Sequence, residues 1–519
     1  MIAVLQLERL GDVAQSLPAL RLLAAGGEEV ALVVQERFVP LARRIAPPRV
    51  VVLGVAAEAL APLLAAAEAG RPGRRELAAR GTALARSLGI GSPGLVVDLT
   101  WHGVGAALAA GLAGLERTVG PVLAPGGEIL FRGFWATWPL AAVDARPRGR
   151  VPMTGVRRLL AAEGLARAAR PVPPAPPVPR AGNPGGPVAL VPGAGDRARR
   201  WPADRWAALA AHLARRGRPV LVLGAGEDRE TAAEITAEAG GGPVRSLCGE
   251  VPLGELPGVI ARCAALVAAD TGPLHLASVL GVPVLGLYGG GAHAGDTGPE
   301  RPGDVVIQAL PAPRAGMESI PVEAVRAALD ALLGEARWRP APGEGRGFLT
   351  LRAREVVPGD GLGGCEYRPP GRPGAGPSTV ARAVLAAFAA VPGHPGDPAR
   401  VLARLQGEDP SAAARVEEAL AGAAGLAREA AGLLRRALLD LRSGRAAGLP
   451  GRLRSLGDRL RAVERELAGE PALAPVGRML SLLLDQVPPG GPEATLSAHE
   501  GIVHRLAAAL DAATVPAGA

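Results

Sequence analysis

The sequence contains no lysine and few aromatic residues. All 57 basic side chains among the 519 residues are therefore arginines, and aromatic residues make up 3% of the chain. Because the arginines are dispersed and rings for base stacking are rare, we do not expect a nucleic-acid-binding protein. The formal net charge of +8 instead favours nucleotides or anionic lipid headgroups as partners.

Cysteine and long apolar runs are also scarce. Cys248, Cys263 and Cys365 show no paired spacing, so we expect neither disulfides nor a zinc site. No apolar run reaches the length of about 18 residues that a membrane span needs. The chain also begins without the basic segment of a secretory signal. We therefore expect a cytoplasmic protein, with peripheral binding to the cytoplasmic face of the inner membrane left open.

Short apolar runs alternate with helical patterns in two stretches of the chain, which predicts parallel sheets covered by helices. A proline-rich segment separates the two stretches, and a segment rich in glycine and proline precedes a helical C-terminal region. The predicted fold class is α/β, with two Rossmann-like domains facing a cleft and an all-α accessory region. The predicted boundaries are 1–170 and 188–338 for the two domains, 171–187 and 339–378 for the linkers, and 379–519 for the helical region.

The most informative segment lies where the apolar run 264–268 gives way to Asp270-Thr271-Gly272 and then to a helical pattern. A strand that delivers these residues to a helix N-terminus presents backbone N–H groups and the positive end of the helix dipole. Such an arrangement binds phosphate groups. The sequence therefore predicts a phosphate site at this turn.

A second segment, Leu10-Gly11-Asp12-Val13, follows the first apolar run of the chain. The glycine permits a tight turn, and Asp12 would then stand at the start of a helix predicted over 13–23. An aspartate in that place is commonly a helix N-cap. It can also act as a general base when a hydroxyl lies within hydrogen-bonding distance. The residues alone leave both roles open.

Two further loops carry glycine. The loop from Val191 to Pro202 combines small residues with arginines, which suits a close approach of phosphate, although a solvated basic loop is the alternative. The loop from Gly224 to Asp228 resembles a dinucleotide fingerprint, but Arg229 takes the place of its third glycine. We therefore interpret it as a strand-to-helix loop near a nucleotide and not as an NAD site.

Three of these segments together resemble glycosyltransferase family 9, the ADP-heptose:lipopolysaccharide heptosyltransferases. The resemblance rests on Leu10-Gly11-Asp12-Val13, on Pro192-Gly193-Ala194 followed by Arg200-Trp201-Pro202, and on Asp270-Thr271-Gly272 with His275-Leu276-Ala277. It implies a GT-B pair of domains, the first binding an acceptor and the second a nucleotide sugar. It further implies inverting transfer, without metal or cofactor, of heptose from ADP-heptose onto a lipopolysaccharide core or another glycan.

The resemblance also implies roles for individual residues. Asp12 matches the catalytic base. Two positions depart from the family, because Gly195 lacks the hydroxyl that many relatives have and Arg199 stands where the family has lysine. The residues implied to bind the donor are Ala194, Gly195, Arg199, Asp228, Val251, Asp270, Thr271, Gly272 and His275.

The acceptor side is less directly indicated. Trp135 and Trp138 belong to the densest aromatic patch of the chain, and an apolar surface with a basic rim suits a glycolipid. Core packing explains the same patch equally well. Gly11, next to the implied base, is the third residue predicted on the acceptor side.

Other functions stay open at this point. One is a transferase that uses a different nucleotide sugar for another surface glycan or for protein modification. Another is a non-catalytic scaffold that binds a nucleotide sugar and works through its helical region. The sequence predicts neither the oligomeric state nor the role of residues 340–519.

Overall fold

The structure is a computed structural model of the 519-residue chain. The residues that it describes are 1–69, 73–100, 103–124, 128–132, 153–170, 182–240, 242–299, 301–312, 314–355, 365–370, 406, 410–443, 449–470, 473, 476–477 and 492–514. No helix in these ranges is both long enough and apolar enough to span a bilayer.

The first half is a six-stranded sheet in the order β3-β2-β1-β4-β5-β6, parallel except for the edge strand β6. Its central strands are buried apolar runs, as is usual for a parallel sheet with helices on both faces. The strands are β1 (Ile2–Gln6), β2 (Val30–Gln35), β3 (Val50–Val55), β4 (Leu95–Asp98), β5 (Thr118–Leu123) and β6 (Ile129–Arg132). The helices are α1 (Leu10–Gln15), α2 (Leu17–Ala25), α3 (Val39–Ile45), α4 (Ala57–Glu68), α5 (Arg74–Ser87), α6 (Gly103–Leu112) and α7 (Met153–Arg167).

The second half is an eight-stranded sheet in the order β14-β13-β12-β11-β10-β7-β8-β9. Its six parallel strands repeat the strand order 3-2-1-4-5-6 of a Rossmann sheet. The strands are β7 (Val188–Val191), β8 (Val220–Val222), β9 (Val244–Ser246), β10 (Ala265–Ala269), β11 (Val284–Tyr288), β12 (Val305–Ala309), β13 (Phe348–Glu355) and β14 (Cys365–Arg368). The helices are α8 (Ala203–Arg215), α9 (Arg229–Glu238), α10 (Leu256–Ile260), α11 (Gly272–Leu280), α12 (Ala294–Thr297) and α13 (Val322–Leu332).

The C-terminal region contains the long helices α14 (Pro410–Arg442), α15 (Leu449–Gly469) and α16 (Pro492–Thr514). Both α15 and α16 pack along α14, whose buried face consists largely of alanine and leucine. The predicted fold class, two Rossmann-like α/β halves followed by an all-α region, is confirmed.

Two local predictions are wrong. The helix predicted over 13–23 is divided into α1 and α2, because Pro18 has no N–H to donate to the carbonyl of Ala14. The segment 339–378, predicted to be an irregular linker, contains β13 and β14, which pair antiparallel at the edge of the second sheet. Flanking glycines and prolines concealed the pairing signal there. Residues 171–181 of the other predicted linker lie outside the described part.

Asp98 ends β4 at the middle of the first sheet and is completely buried. Its Oδ1 accepts a hydrogen bond of 2.8 Å from the backbone N–H of Thr100, whereas Oδ2 has no partner within the described ranges. Burial raises the pKa of this carboxyl from 3.8 to about 7, against the opposing effect of the Thr100 hydrogen bonds. The folded protein therefore binds this proton more tightly than the unfolded chain does, and Asp98 destabilises the fold increasingly as the pH rises from about 4 to about 7.

We predict that Asp98→Asn stabilises the protein at about pH 8, because an amide replaces a buried charge. The free energy of unfolding should rise by at least ~1.4 kcal/mol, the equivalent of one pKa unit. Urea unfolding at several pH values measures this, with exposed Asp204→Asn as the control. An unchanged dependence of stability on pH between about 4 and 7 would contradict the assignment.

Candidate functional site

The site forms where the strand order reverses in each sheet. Asp12 follows β1 and lies at the switch point between β1 and β4, and Asp270 follows β10 at the switch point between β10 and β7. Ligands of open α/β sheets bind at such crevices, beyond the carboxyl ends of the strands. The two switch points therefore face each other at the boundary between the halves, which we call the seam.

Two glycines let α1 of the first half approach α11 of the second. A Cβ atom at Gly11 would lie 3.0 Å from Cδ2 of His275, and one at Gly272 would lie 2.2 Å from Cδ2 of Leu10. Larger residues at these positions would push the two helices apart. The contact therefore brings Asp12 and the Asp270 turn to the same seam, as the sequence predicted.

Asp12 stands in the first turn of α1 with 28% of its side chain exposed. Its Oδ1 accepts a 2.7 Å hydrogen bond from Nη2 of Arg157, and its Oδ2 accepts a 3.3 Å bond from the backbone N–H of Arg9. The N-cap interpretation of Asp12 is wrong, because Arg9 is the N-cap of α1 and Asp12 is its third residue, whose carboxylate reaches back to the N-cap backbone. Because it is partly exposed at the seam, it remains accessible to a substrate hydroxyl.

Asp270 has three side-chain partners in the site. Oδ1 accepts hydrogen bonds of 3.0 Å from Nε2 of His275 and from Oγ1 of Thr297, and Oδ2 forms a 3.2 Å ion pair with Nη1 of Arg199. Burial by itself raises the pKa of Asp270, but the hydrogen bond from His275, the charge of Arg199 and the hydrogen bond from Thr297 oppose it, and the pKa lies below its ordinary value. Asp270 is thus an ionised anchor for three side chains.

Gln15 joins the two halves. Its Oε1 accepts a 2.7 Å hydrogen bond from Nη1 of Arg157, while its Nε2 lies 3.1 Å from Nδ1 of His275 and 3.1 Å from the carbonyl oxygen of Thr297. Sequence reasoning missed Gln15, Arg157 and Thr297. Gln15 follows Asp12 by three residues on one helix, a spacing that could have suggested a shared face, but nothing local marks Arg157.

The basic loop after β7 faces the Asp270 turn. Ala194 is buried and its carbonyl oxygen accepts a 2.9 Å hydrogen bond from Nε of Arg200, whereas Gly195 is exposed. Arg199 ends a short 3-10 turn and points its guanidinium at Asp270. The buried Nε of Arg199 has no hydrogen-bond partner in the part of the chain that the structure describes. This loop and the start of α11, where Thr271 precedes Gly272, form the basic wall of the seam.

Asp228 supports this wall from behind. Its Oδ2 accepts a 2.8 Å hydrogen bond from the backbone N–H of Ala225, and its carboxylate occupies the space that a Cβ atom at Gly193 or Gly224 would need. Val251 is half-buried in the loop after β9. The predicted contacts of Asp228 and Val251 with a nucleoside stay predictions.

The first half carries a small cavity beside Asp12. It has a volume of about 200 Å³, and its lining residues are Leu7, Glu8, Arg9, Gln35, Arg37, Leu60, Leu64 and Val104. Burial and the nearby charge of Asp12 raise the pKa of Glu8, although Arg157 and Arg9 oppose the shift. Trp135 and Trp138, the predicted acceptor residues, lie outside the described ranges. Within those ranges no group of three or more His, Cys, Asp or Glu side chains has the arrangement of a metal site.

Comparison with known proteins finds a family similar to one part of the chain. Residues 169–314, which include the basic loop, the Asp270 turn and α11, match the sequence model of glycosyltransferase family 9 (heptosyltransferase). This part of the chain, residues 169–314, is therefore similar to glycosyltransferase family 9. The matched segment does not reach Asp12 or Arg157.

Individual relatives resemble a part of the chain. Over 106 residues, 20% of its length, the chain is 36% identical to lipopolysaccharide heptosyltransferase 2 of Salmonella typhimurium and of Escherichia coli. The match covers 30% of each relative, so the chain spans less than a third of the length of these curated proteins. A solved glycosyl transferase family 9 protein from Veillonella parvula is 19% identical, with 64% of this chain and 97% of that chain covered and a TM-score of 0.47.

Gly193, whose Cα faces the carboxylate of Asp228, gives a testable contrast. We predict that Gly193→Ala destabilises the protein by about 1–3 kcal/mol, because its methyl group would lie 2.2 Å from Oδ1 of Asp228 and overpack the loop. Gly195→Ala is the matched control, since nothing lies within 4 Å of its Cβ position. Thermal unfolding compares the two variants. Equal melting temperatures would show that Asp228 does not buttress the loop.

Proposed function

We propose that the protein is an inverting glycosyltransferase that moves heptose from ADP-heptose onto a lipopolysaccharide-core or other glycan acceptor, without a metal. The carrying observation is the meeting of Asp12 with the family 9 donor turn at one seam. The relatives described as lipopolysaccharide heptosyltransferases support the choice of donor and acceptor. A lipid-linked acceptor would also bring the protein to the inner face of a membrane.

Asp12 supplies the general base in this proposal. Arg157 holds Oδ1, which orients the carboxylate and leaves room at Oδ2 for an acceptor hydroxyl. The hydroxyl oxygen attacks the anomeric carbon from the side opposite the diphosphate while its proton passes to Asp12. The bond between that carbon and the diphosphate oxygen breaks, and ADP leaves with the electron pair. Attack from the opposite side inverts the anomeric configuration.

The basic wall supplies the charge that the leaving diphosphate requires. Arg199 has a buried Nε without a partner in the described ranges, and its fork can bridge Asp270 and a phosphate. The N-terminus of α11 adds backbone dipoles aimed at the same space. Gly195 contributes no hydroxyl, so the proposed donor contacts in this loop are those of the backbone and of arginine.

The acceptor would lie against the first half. The cavity lined by Glu8, Arg9 and Arg37 adjoins Asp12 and offers both carboxylate and guanidinium groups for a polar sugar.

We predict that Asp12→Asn lowers kcat by about 100-fold or more, because an amide cannot accept the hydroxyl proton. The affinity for ADP should change by less than about twofold, since Asp12 does not belong to the basic wall. Release of ADP in the presence of acceptor and isothermal calorimetry measure the two quantities, with exposed Asp204→Asn as the control. Near wild-type turnover would remove Asp12 from the mechanism.

We predict that Arg199→Ala weakens ADP binding by about 10- to 100-fold, which corresponds to the loss of one charge-assisted hydrogen bond. Exposed Arg215→Ala on α8 removes the same charge elsewhere and should leave the affinity unchanged. Calorimetry on both variants tests the diphosphate role.

A panel of nucleotide sugars in the same assay identifies the donor. Binding without turnover for every donor and acceptor would favour a scaffold over an enzyme.

A further inference from the structure

We propose that Gln15 and Arg157 are positioning residues: they join Asp12 to His275 in one hydrogen-bonded chain and hold His275 as the neutral tautomer with its proton on Nε2. The catalytic roles of Asp12 and of the site around His275 rest on the proposed function. The hydrogen-bonded chain that joins them rests on distances between described residues, and it can be tested without measuring activity.

The direction of each hydrogen bond follows from Arg157. A guanidinium only donates, so Oε1 of Gln15, 2.7 Å from Nη1, must be the accepting atom of the amide. The NH2 group of Gln15 is then turned towards the carbonyl oxygen of Thr297, which only accepts. Both neighbours agree, and the orientation of the amide is fixed.

The fixed amide determines the protonation of His275. Because Gln15 directs an N–H at Nδ1 over 3.1 Å, Nδ1 has to accept and cannot carry a proton. Nε2 lies 3.0 Å from Oδ1 of Asp270, a carboxylate oxygen that also accepts from Thr297, and has to donate. A protonated imidazolium would set two donors against each other at Nδ1. The ring therefore stays neutral although it is almost completely buried beside a carboxylate.

Two ion pairs lie near the ring, Arg199 with Asp270 and Arg157 with Asp12. The titratable and charged side chains of the surrounding elements are Asp270, Arg199, Asp12, Arg157, Asp296 and Tyr288. Arg199 balances Asp270 and Arg157 balances Asp12, so a neutral imidazole adds no further charge at the seam. Three side chains are bonded to Asp270. Of these three, Arg199 is then the one that brings a positive charge to the proposed diphosphate.

Arg157 suits this role because its guanidinium is a fork. Its side chain is 3% exposed, and its two terminal nitrogens serve Asp12 and Gln15 at the same distance of 2.7 Å. A lysine ammonium is a compact point charge and does not reproduce the planar two-nitrogen contact. The position of Asp12 is in this way linked to the contact of Gln15 with the second half.

The first experiment observes His275 in the ligand-free protein by 15N NMR. The chain has seven histidines, and a His275→Gln variant assigns the signal. We expect the neutral Nε2–H tautomer in the wild type at about pH 7. In Gln15→Glu the carboxylate facing Nδ1 should convert at least about half of His275 to imidazolium. Gln406→Glu in the C-terminal region is exposed and should leave the signal unchanged.

Two results would overturn the proposal at this stage. One is a wild-type His275 that is charged or carries its proton on Nδ1. The other is a folded Gln15→Glu variant whose His275 signals equal those of the wild type. Neither NMR measurement needs a substrate. The hydrogen-bonded chain can therefore be confirmed or excluded independently of the proposed transfer reaction.

The second experiment replaces Arg157 by lysine and by methionine. We expect kcat for transfer to fall about 10-fold in Arg157→Lys and further in Arg157→Met, while the affinity for ADP stays within about twofold. Partial rescue by lysine distinguishes positioning from mere packing, and exposed Arg215→Lys is the control. Equal kcat in wild type and Arg157→Lys, or a loss confined to ADP affinity, would exclude the positioning role.

Discussion

The whole site depends on the close approach of two helix starts, α1 from the first sheet and α11 from the second. Gly11 and Gly272 make that approach sterically possible, because a Cβ atom at either would collide with His275 or Leu10. Once the helices meet, polar side chains one turn further along can form hydrogen bonds between the halves. The hydrogen bonds and ion pairs between the halves therefore depend on the absence of side chains at these two glycines.

The charges of the seam are arranged as separate pairs joined by neutral groups. Arg157 with Asp12 and Arg199 with Asp270 are ion pairs, and the amide of Gln15 and the ring of His275 lie between them. Ion pairs at such burial contribute little net stability, because desolvation offsets their attraction, but removing one partner leaves a costly unpaired charge. Their value here lies in fixing geometry.

The local parts of this arrangement could be predicted from the sequence, whereas the connections between them could not. A strand followed by a small residue and an acid identified Asp12 and Asp270, because strand and turn patterns depend on neighbouring residues. Arg157 contacts Asp12 across 145 positions, and Gln15 contacts Thr297 across 282. The first contact forms only once α7 has packed against the first sheet, and the second only when the two halves have met. The strands β13 and β14 escaped prediction for a related reason, since their pairing at a sheet edge outweighs the flanking glycines and prolines.

In the proposed reaction, the packed seam leaves few groups that have to move when the diphosphate binds. Asp270 is satisfied by three side chains, so it holds Arg199 in place and is not itself a group that the ligand must displace. Arg199 retains a buried Nε without a partner in the described ranges. A donor group that is already oriented and desolvated costs little reorganisation when negative charge develops beside it. The same reasoning applies to Asp12, whose carboxylate Arg157 orients before any acceptor arrives.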